Sequence, residues 1–210
     1  MREVNPYRTE SELMKALDNG GHLYNIMSRR GDNVITYGEL AKAAGAISTG
    51  IYAFLFFEMS QQNLPDDARA QTVKSLEPSL QKEFLKDRPI AVLPSEIEQR
   101  GKAGKAVIVE GYAKDLEDEI VKHARVSMAV SSGGGTAFES VSLIERFAVF
   151  ELCDTPTMQG PKAILACDLG TTLEPGEKIR FGGILSTLSH KKKKSDTPNK
   201  FLEAIFFTKM

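Results

Sequence analysis

The sequence lacks a charge excess of either sign. Lys and Arg number 27 against 28 Asp and Glu, a net charge of −1. A protein that coats nucleic acid nonspecifically carries a clear basic surplus, so any such binding here must come from a local patch. Cysteine is scarce too: only Cys153 and Cys167 occur, each followed by an aspartate, and His22, His123 and His190 are scattered. A structural zinc site wants four ligands at short paired spacings. The two cysteines are therefore read as small buried hydrophobes, and neither a metal nor a cofactor is expected. A long apolar run is also missing. The uncharged stretch Ala43–Phe57 would span about 22 Å as a helix, short of a bilayer core of about 30 Å. Residues Met1–Pro6 hold no apolar segment of the secretory kind, so the expected compartment is the cytoplasm and no membrane association is expected. What remains is ordinary globular usage, 41% hydrophobic and 26% charged, which excludes wholesale disorder.

The front of the chain has helical punctuation. Thr9 with Glu12 and Thr36 with Glu39 fit capping boxes. Leu13, Met14 and Leu17 form an apolar stripe that stops at Gly20-Gly21, and a short helix is expected over Leu23–Arg29. The region from Thr36 to about Gln62 resembles a helix-turn-helix in its apolar and small positions, with Gly45 at the turn. A DNA reader needs Arg, Lys, Asn or Gln on its second helix. Residues Ser48–Phe57 offer none, so the segment reads as a buried packing helix, apolar on both faces. Two shorter helices are expected over Ala68–Leu76 and Ser79–Lys86. Glu96–Lys105, with Gly101 and Gly104, reads as a helical turn and a linker.

Beyond Lys105 the texture becomes β. Ala106–Lys114, Val126–Val130, Phe147–Cys153 and Lys162–Cys167 are strand-like, as are Glu177–Ser189 and Phe201–Thr208. Asp115–His123 reads as a charged stretch outside any strand. Gly133-Gly134-Gly135 is followed by Thr136-Ala137-Phe138, not by the Lys-Ser/Thr of a phosphate loop, and reads as a hairpin turn. The expected class is α+β: an N-terminal helical domain over residues 1–95, then a C-terminal antiparallel β-barrel or sandwich over 104–210.

The order of elements in this second part resembles an OB-fold. Strand one would be Ala106–Lys114 with its glycine bend, strands two and three Phe147–Cys153 and Ala163–Cys167. The Pro175–Ile179 turn would lead into strand four, and Phe201–Thr208 would be strand five. Asp115–Glu145 would be an insertion after strand one. The resemblance implies a ligand face on strands two and three, flanked by the loop that holds Lys191, Lys192, Lys193 and Lys194.

Three function classes are weighed. The first is a non-enzymatic interaction or assembly protein, in which the helical front docks a protein partner or a second copy. The second is a single-stranded nucleic-acid binder, with phosphates on Lys191–Lys194 and Lys200 and bases on Phe147 or Phe150. The third is an enzyme. Its candidates are Asp154 and Asp168 beside the cysteines and His123 near Glu119, but no nucleophile–base pairing recurs among them. The first reading is preferred, with no catalytic residue assigned.

Overall fold

A computed structural model of the chain describes residues 1–20, 30–45, 50–132, 135–187 and 200–210, with the backbone alone over 122–132 and 135–144. The expected helix Leu23–Arg29, the Lys191–Lys194 loop and Gly133-Gly134 lie outside the described residues. Helices α1 (Glu10–Leu17), α2 (Tyr37–Ala44), α3 (Gly50–Ser60), α4 (Asp66–Lys74) and α5 (Pro78–Asp87) make up the front, and a single turn, α6 (Ile97–Arg100), follows them. The strands are β1 (Arg2–Glu3), β2 (Ile90–Val92), β3 (Ala106–Ser132), β4 (Gly135–Cys153), β5 (Lys162–Asp168), β6 (Lys178–Thr187) and β7 (Lys200–Lys209).

Local chemistry sets the helix ends. Thr9 Oγ1 accepts the Glu12 N–H at 3.2 Å. At α2 the capping box is complete: the Glu39 N–H donates to Thr36 Oγ1 and the Thr36 N–H to Glu39 Oε2, at 3.4 and 2.8 Å. Gly45 ends α2 at φ 64°, a left-handed conformation that favours glycine.

Five strands close a ring of pairings: β3 with β4, β4 with β5, β5 with β7, β7 with β6, and β6 back to β3. The antiparallel expectation needs correcting. β5–β7, β1–β7 and β2–β3 are parallel. β5 and β7 are separated in sequence by β6, so the chain passes over before it returns to pair, and such a connection yields parallel neighbours.

Alternation along β3 divides the molecule into two cores. Val107 and Val109 lie inside the ring with Phe150, Leu152, Leu165, Phe181, Leu185 and Leu202. Ala106 and Ile108, one residue out of phase, join the helical core of Leu13, Leu17, Leu40, Phe54, Phe57 and Phe84. Successive strand residues point to opposite faces, so one segment serves both. α3 lies directly on this outer wall. Phe56 meets Phe206 of β7 with ring centroids 5.9 Å apart. A Cβ at Gly182 of β6 would overlap Met59 Sδ and stand 3.2 Å from Leu55 Cγ. Residues Ala53–Ser60 are all buried, which explains why α3 needs no polar face. Its one carboxylate, Glu58, takes both forks of Arg88, at 2.9 and 3.0 Å.

The segment read as a helical turn and linker is ordered packing. Val92 and Ile97 belong to the ring's core. Pro94 Cγ stands 2.9 Å from where a Gly111 Cβ would be, so glycine there lets the turn close one end of the ring.

A second correction concerns length. The charged stretch Asp115–His123 and the strands around the triple glycine are one continuous hairpin, in register from Asp118↔Val149 to Ser132↔Gly135. An irregularity between Asp115 and Asp118, with Glu117 at φ 53°, offsets the pairing. Beyond the ring opposite charges pair across the two strands, so charge does not oppose strand formation. Lys122 stands opposite Glu145 in register, and Arg146 pairs with Glu119 at 3.9 Å.

Candidate functional site

The groups considered for catalysis are held in structural roles. Asp154 accepts from the Ser95 N–H and hydroxyl, at 3.1 and 2.7 Å, and ties the turn before α6 to the end of β4. Asp168 pairs with the amino group of Met1. The Cys153 thiol donates to the Gln159 carbonyl at 3.0 Å. Burial pushes the Cys167 thiol up to about 12, so it stays protonated and unreactive at neutral pH. The side chain of His123 lies outside the described residues. Among the described residues no three His, Cys, Asp or Glu side chains gather as a metal site would require.

The residues considered for nucleic-acid stacking separate. Phe150 is buried inside the ring. Phe147 is half-buried and lines an outer groove of about 600 Å³, with Arg2, Tyr52, Arg146, Asp168 and Glu203. Sequence reasoning missed Arg2, Tyr52 and Arg146, which come from β1, α3 and β4. Arg2 is already engaged: it donates to the Ala43 carbonyl at 2.9 Å and lies over the Phe56 ring at 5.3 Å. With Glu145 and Met1 also on its wall, the groove holds two arginines and the Met1 ammonium against three carboxylates, a balance that gives a polyanion no net attraction.

Lys200 is likewise engaged. Its ammonium donates to the Glu98 and Gly101 carbonyls at 2.6 and 2.9 Å, with the Ile97 carbonyl at 3.5 Å. Its N–H reaches Glu98 Oε1 at 3.0 Å. These bonds fasten the start of β7 to the C-terminus of α6, where a cation is favoured.

No family model matches the sequence, and no curated protein matches it. Among solved structures the chain is similar to the N-terminal domain of an archaeal MCM, with a TM-score of 0.39 and 12% identity, over 95% of this chain and 92% of that one. A likeness at that score is too slight to carry a function to this protein. No described helix is long and apolar enough to cross a membrane, which says nothing of strands.

The most prominent feature without an internal role is the β3–β4 ribbon. Residues 113–132 of β3 pair only with β4, and residues 135–146 of β4 pair only with β3, among the described residues. Cross-strand partners share a face. One face of the ribbon therefore carries the apolar register pairs Ile120↔Phe147, Ala124↔Leu143, Val126↔Val141 and Val130↔Ala137 together with Lys122↔Glu145 and Met128↔Glu139. The other carries Arg125↔Ser142, Ser127↔Ser140 and Ser131↔Thr136 together with Val121↔Arg146, His123↔Ile144 and Ala129↔Phe138, so each face mixes apolar and polar pairs.

Proposed function

We propose that the protein is a non-enzymatic assembly module. Residues 1–95 form a helical docking layer, residues 104–210 an OB-type barrel, and the β3–β4 ribbon is the arm through which two copies associate. The observation that carries this reading is the length of the ribbon, in register from Asp118↔Val149 to Ser132↔Gly135, with no third strand paired along residues 118–132 and 135–146 among the described residues. A two-stranded hairpin alone in water is marginal at best, and the apolar pairs Ala124↔Leu143 and Val126↔Val141 on one side and Ala129↔Phe138 on the other gain by packing on a further element. Between Glu119 and Ala148 the sequence holds Lys122, Arg125 and Arg146 against Glu119, Glu139 and Glu145. This neutral balance favours neither a polyanion nor a polycation. A second identical ribbon matches it in both polarity and length, and self-complementary two-fold contacts are the commonest route to a homo-oligomer.

The test is solution mass across a range of concentrations. Parent protein should pass from monomer to dimer. A variant with residues 122–145 replaced by Asn-Gly, a turn suited to join the paired Val121 and Arg146, should stay monomeric throughout. A parent that is monomeric at every concentration overturns the reading.

Single-stranded nucleic acid is the second reading, favoured by the ring order itself, in which the loop between β6 and β7 flanks the ligand face of an OB-type barrel. Lys191–Lys194 supply its phosphate contacts, and Lys200 anchors the base of their segment. Changing the four loop lysines to serine should lower affinity for a single strand and flatten its salt dependence.

A further inference from the structure

At the seam between the helical layer and the ring, three segments bring cations together. α5 ends in Lys86, Asp87 and Arg88, β2 begins at Ile90, and the chain between α6 and β3 carries Arg100, Lys102 and Lys105. These residues line one pocket of about 240 Å³. That is smaller than a site for a drug-sized ligand, which runs to about 300–1,000 Å³.

Three of the five cations are held in place by carboxylates. Arg88 is clamped by Glu58, Arg100 by Glu96 at 2.6 Å, and Lys105 by Asp87 at 2.6 Å. The Lys105 ammonium, by its hydrogen bond and charge, holds the Asp87 carboxyl below its ordinary range, with Lys86 adding to the effect. Lys86 and Lys102 have no ion-pair partner among the described residues. Five cations against three carboxylates leave an excess of two, in a protein whose total charge is −1. The Lys102–Lys105 turn is fixed by the Lys105 N–H on the Lys102 carbonyl at 3.1 Å and by the Gly104 N–H on the Leu185 carbonyl at 2.7 Å. Ile90, 43% exposed, offers an apolar contact beside these charges.

We propose that this pocket is a phosphate-binding site, in which Lys86 and Lys102 make the direct contacts and Arg88, Arg100 and Lys105 supply oriented positive charge. Partnered arginines present fixed N–H donors in a planar fork, whereas free ammonium groups reorient to meet an oxyanion. Such a phosphate has two sources, the backbone of a single strand or a free phosphoanion. The site also lies where the Leu185 end of β6 bonds to the 104–105 turn, close to where residues 188–199 join the described chain.

The experiment titrates full-length protein with a fluorescent oligothymidylate at two salt concentrations, with inorganic pyrophosphate as competitor. Lys86→Gln/Lys102→Gln is compared with parent, and Lys74→Gln, on the exposed end of α4, serves as the charge control. Thermal melts establish that all three are equally folded. The parent should bind the strand, the double variant should lose roughly tenfold in affinity, and its salt slope should flatten by about 1.4, from about 0.7 per lost phosphate contact. Displacement by pyrophosphate at equal concentration assigns the pocket to free phosphoanions, and resistance to it assigns the strand backbone. The proposal falls if the parent binds neither ligand, if the double variant binds like the parent, or if Lys74→Gln weakens binding as much.

Discussion

The two halves of β3 are one strand in two physical situations. From Ala106 to Ala113 it is a wall between two cores, with Val107 and Val109 facing the ring and Ala106 and Ile108 under the helices. It has β6 on one side and β2 or β4 on the other. From Asp118 to Ser132 its only strand partner among the described residues is β4. In the first half sequence and structure are tightly coupled, because every side chain has a defined destination. In the second the backbone pairs with β4 alone among the described residues, and strand pairing by itself gives a side chain no fixed destination. The contrast locates the two cores in the ring and its helical wall, and leaves the ribbon outside both.

The sharpest way to break the comparison is to place the same charge in both halves. Val109→Asp buries an unpaired carboxylate in the ring, at a cost of several kcal/mol, and should abolish the cooperative thermal transition. Ser127→Asp, in the ribbon, should change the melting temperature by no more than surface substitutions do, within about 0.5 kcal/mol. Comparable destabilisation by the two would show that the ribbon is part of the folded core.

A smaller effect is expected where the wall meets α3. Gly182→Val forces a branched side chain against Met59 and Leu55, and overpacking of this kind typically costs about 1–3 kcal/mol. Urea denaturation should show a lower midpoint with an unchanged slope. An unchanged midpoint would mean that α3 can lift off the ring freely, and that the helical layer is docked more loosely than its buried surface implies.

The same contrast explains what was legible. Strand identities in the ring could be read because period-two patterning is strict where one face is buried, as in Ile179, Phe181 and Leu185 of β6. The N-cap at Thr9 and the capping box at Thr36 marked two helix starts for a similarly local reason, although Glu12 reaches the Arg8 N–H and not that of Thr9. The span of the ribbon could not be read. Asp115, Glu117, Asp118, Glu119 and Lys122 look like a loop unless their partners across the hairpin are known, and cross-strand pairing is not a local property. The parallel pairs were hidden likewise, since they join segments far apart in sequence. The candidate sites were the least legible. Lys86 and Lys102 read as ordinary surface charges on a short helix and a linker, and only the packing of α5 against the turn before β3 brings them to one pocket. Lys200 looked available for phosphate, yet three carbonyls surround its ammonium.

The smallest expected effect is also the most discriminating. Replacing residues 122–145 with Asn-Gly removes all of the ribbon beyond the Val121↔Arg146 pair and leaves every residue of the two cores in place. If stability resides in the ring and its wall, the unfolding free energy measured at high dilution, where both proteins are monomers, should change by no more than about 0.5 kcal/mol. Shortening a connection can stabilise, because closing a shorter loop costs less entropy, while losing the ribbon's own strand pairings works the other way. The expected change is therefore close to neutral. At higher concentration the order should reverse. The parent gains stability by mass action as it dimerises, its melting temperature rising with concentration, while the shortened variant stays flat. Two parallel, concentration-independent melting curves would remove association from the ribbon. A large loss at high dilution would move the ribbon into the core. Only divergence with concentration, starting from equal values, supports the division of labour between the two halves of β3.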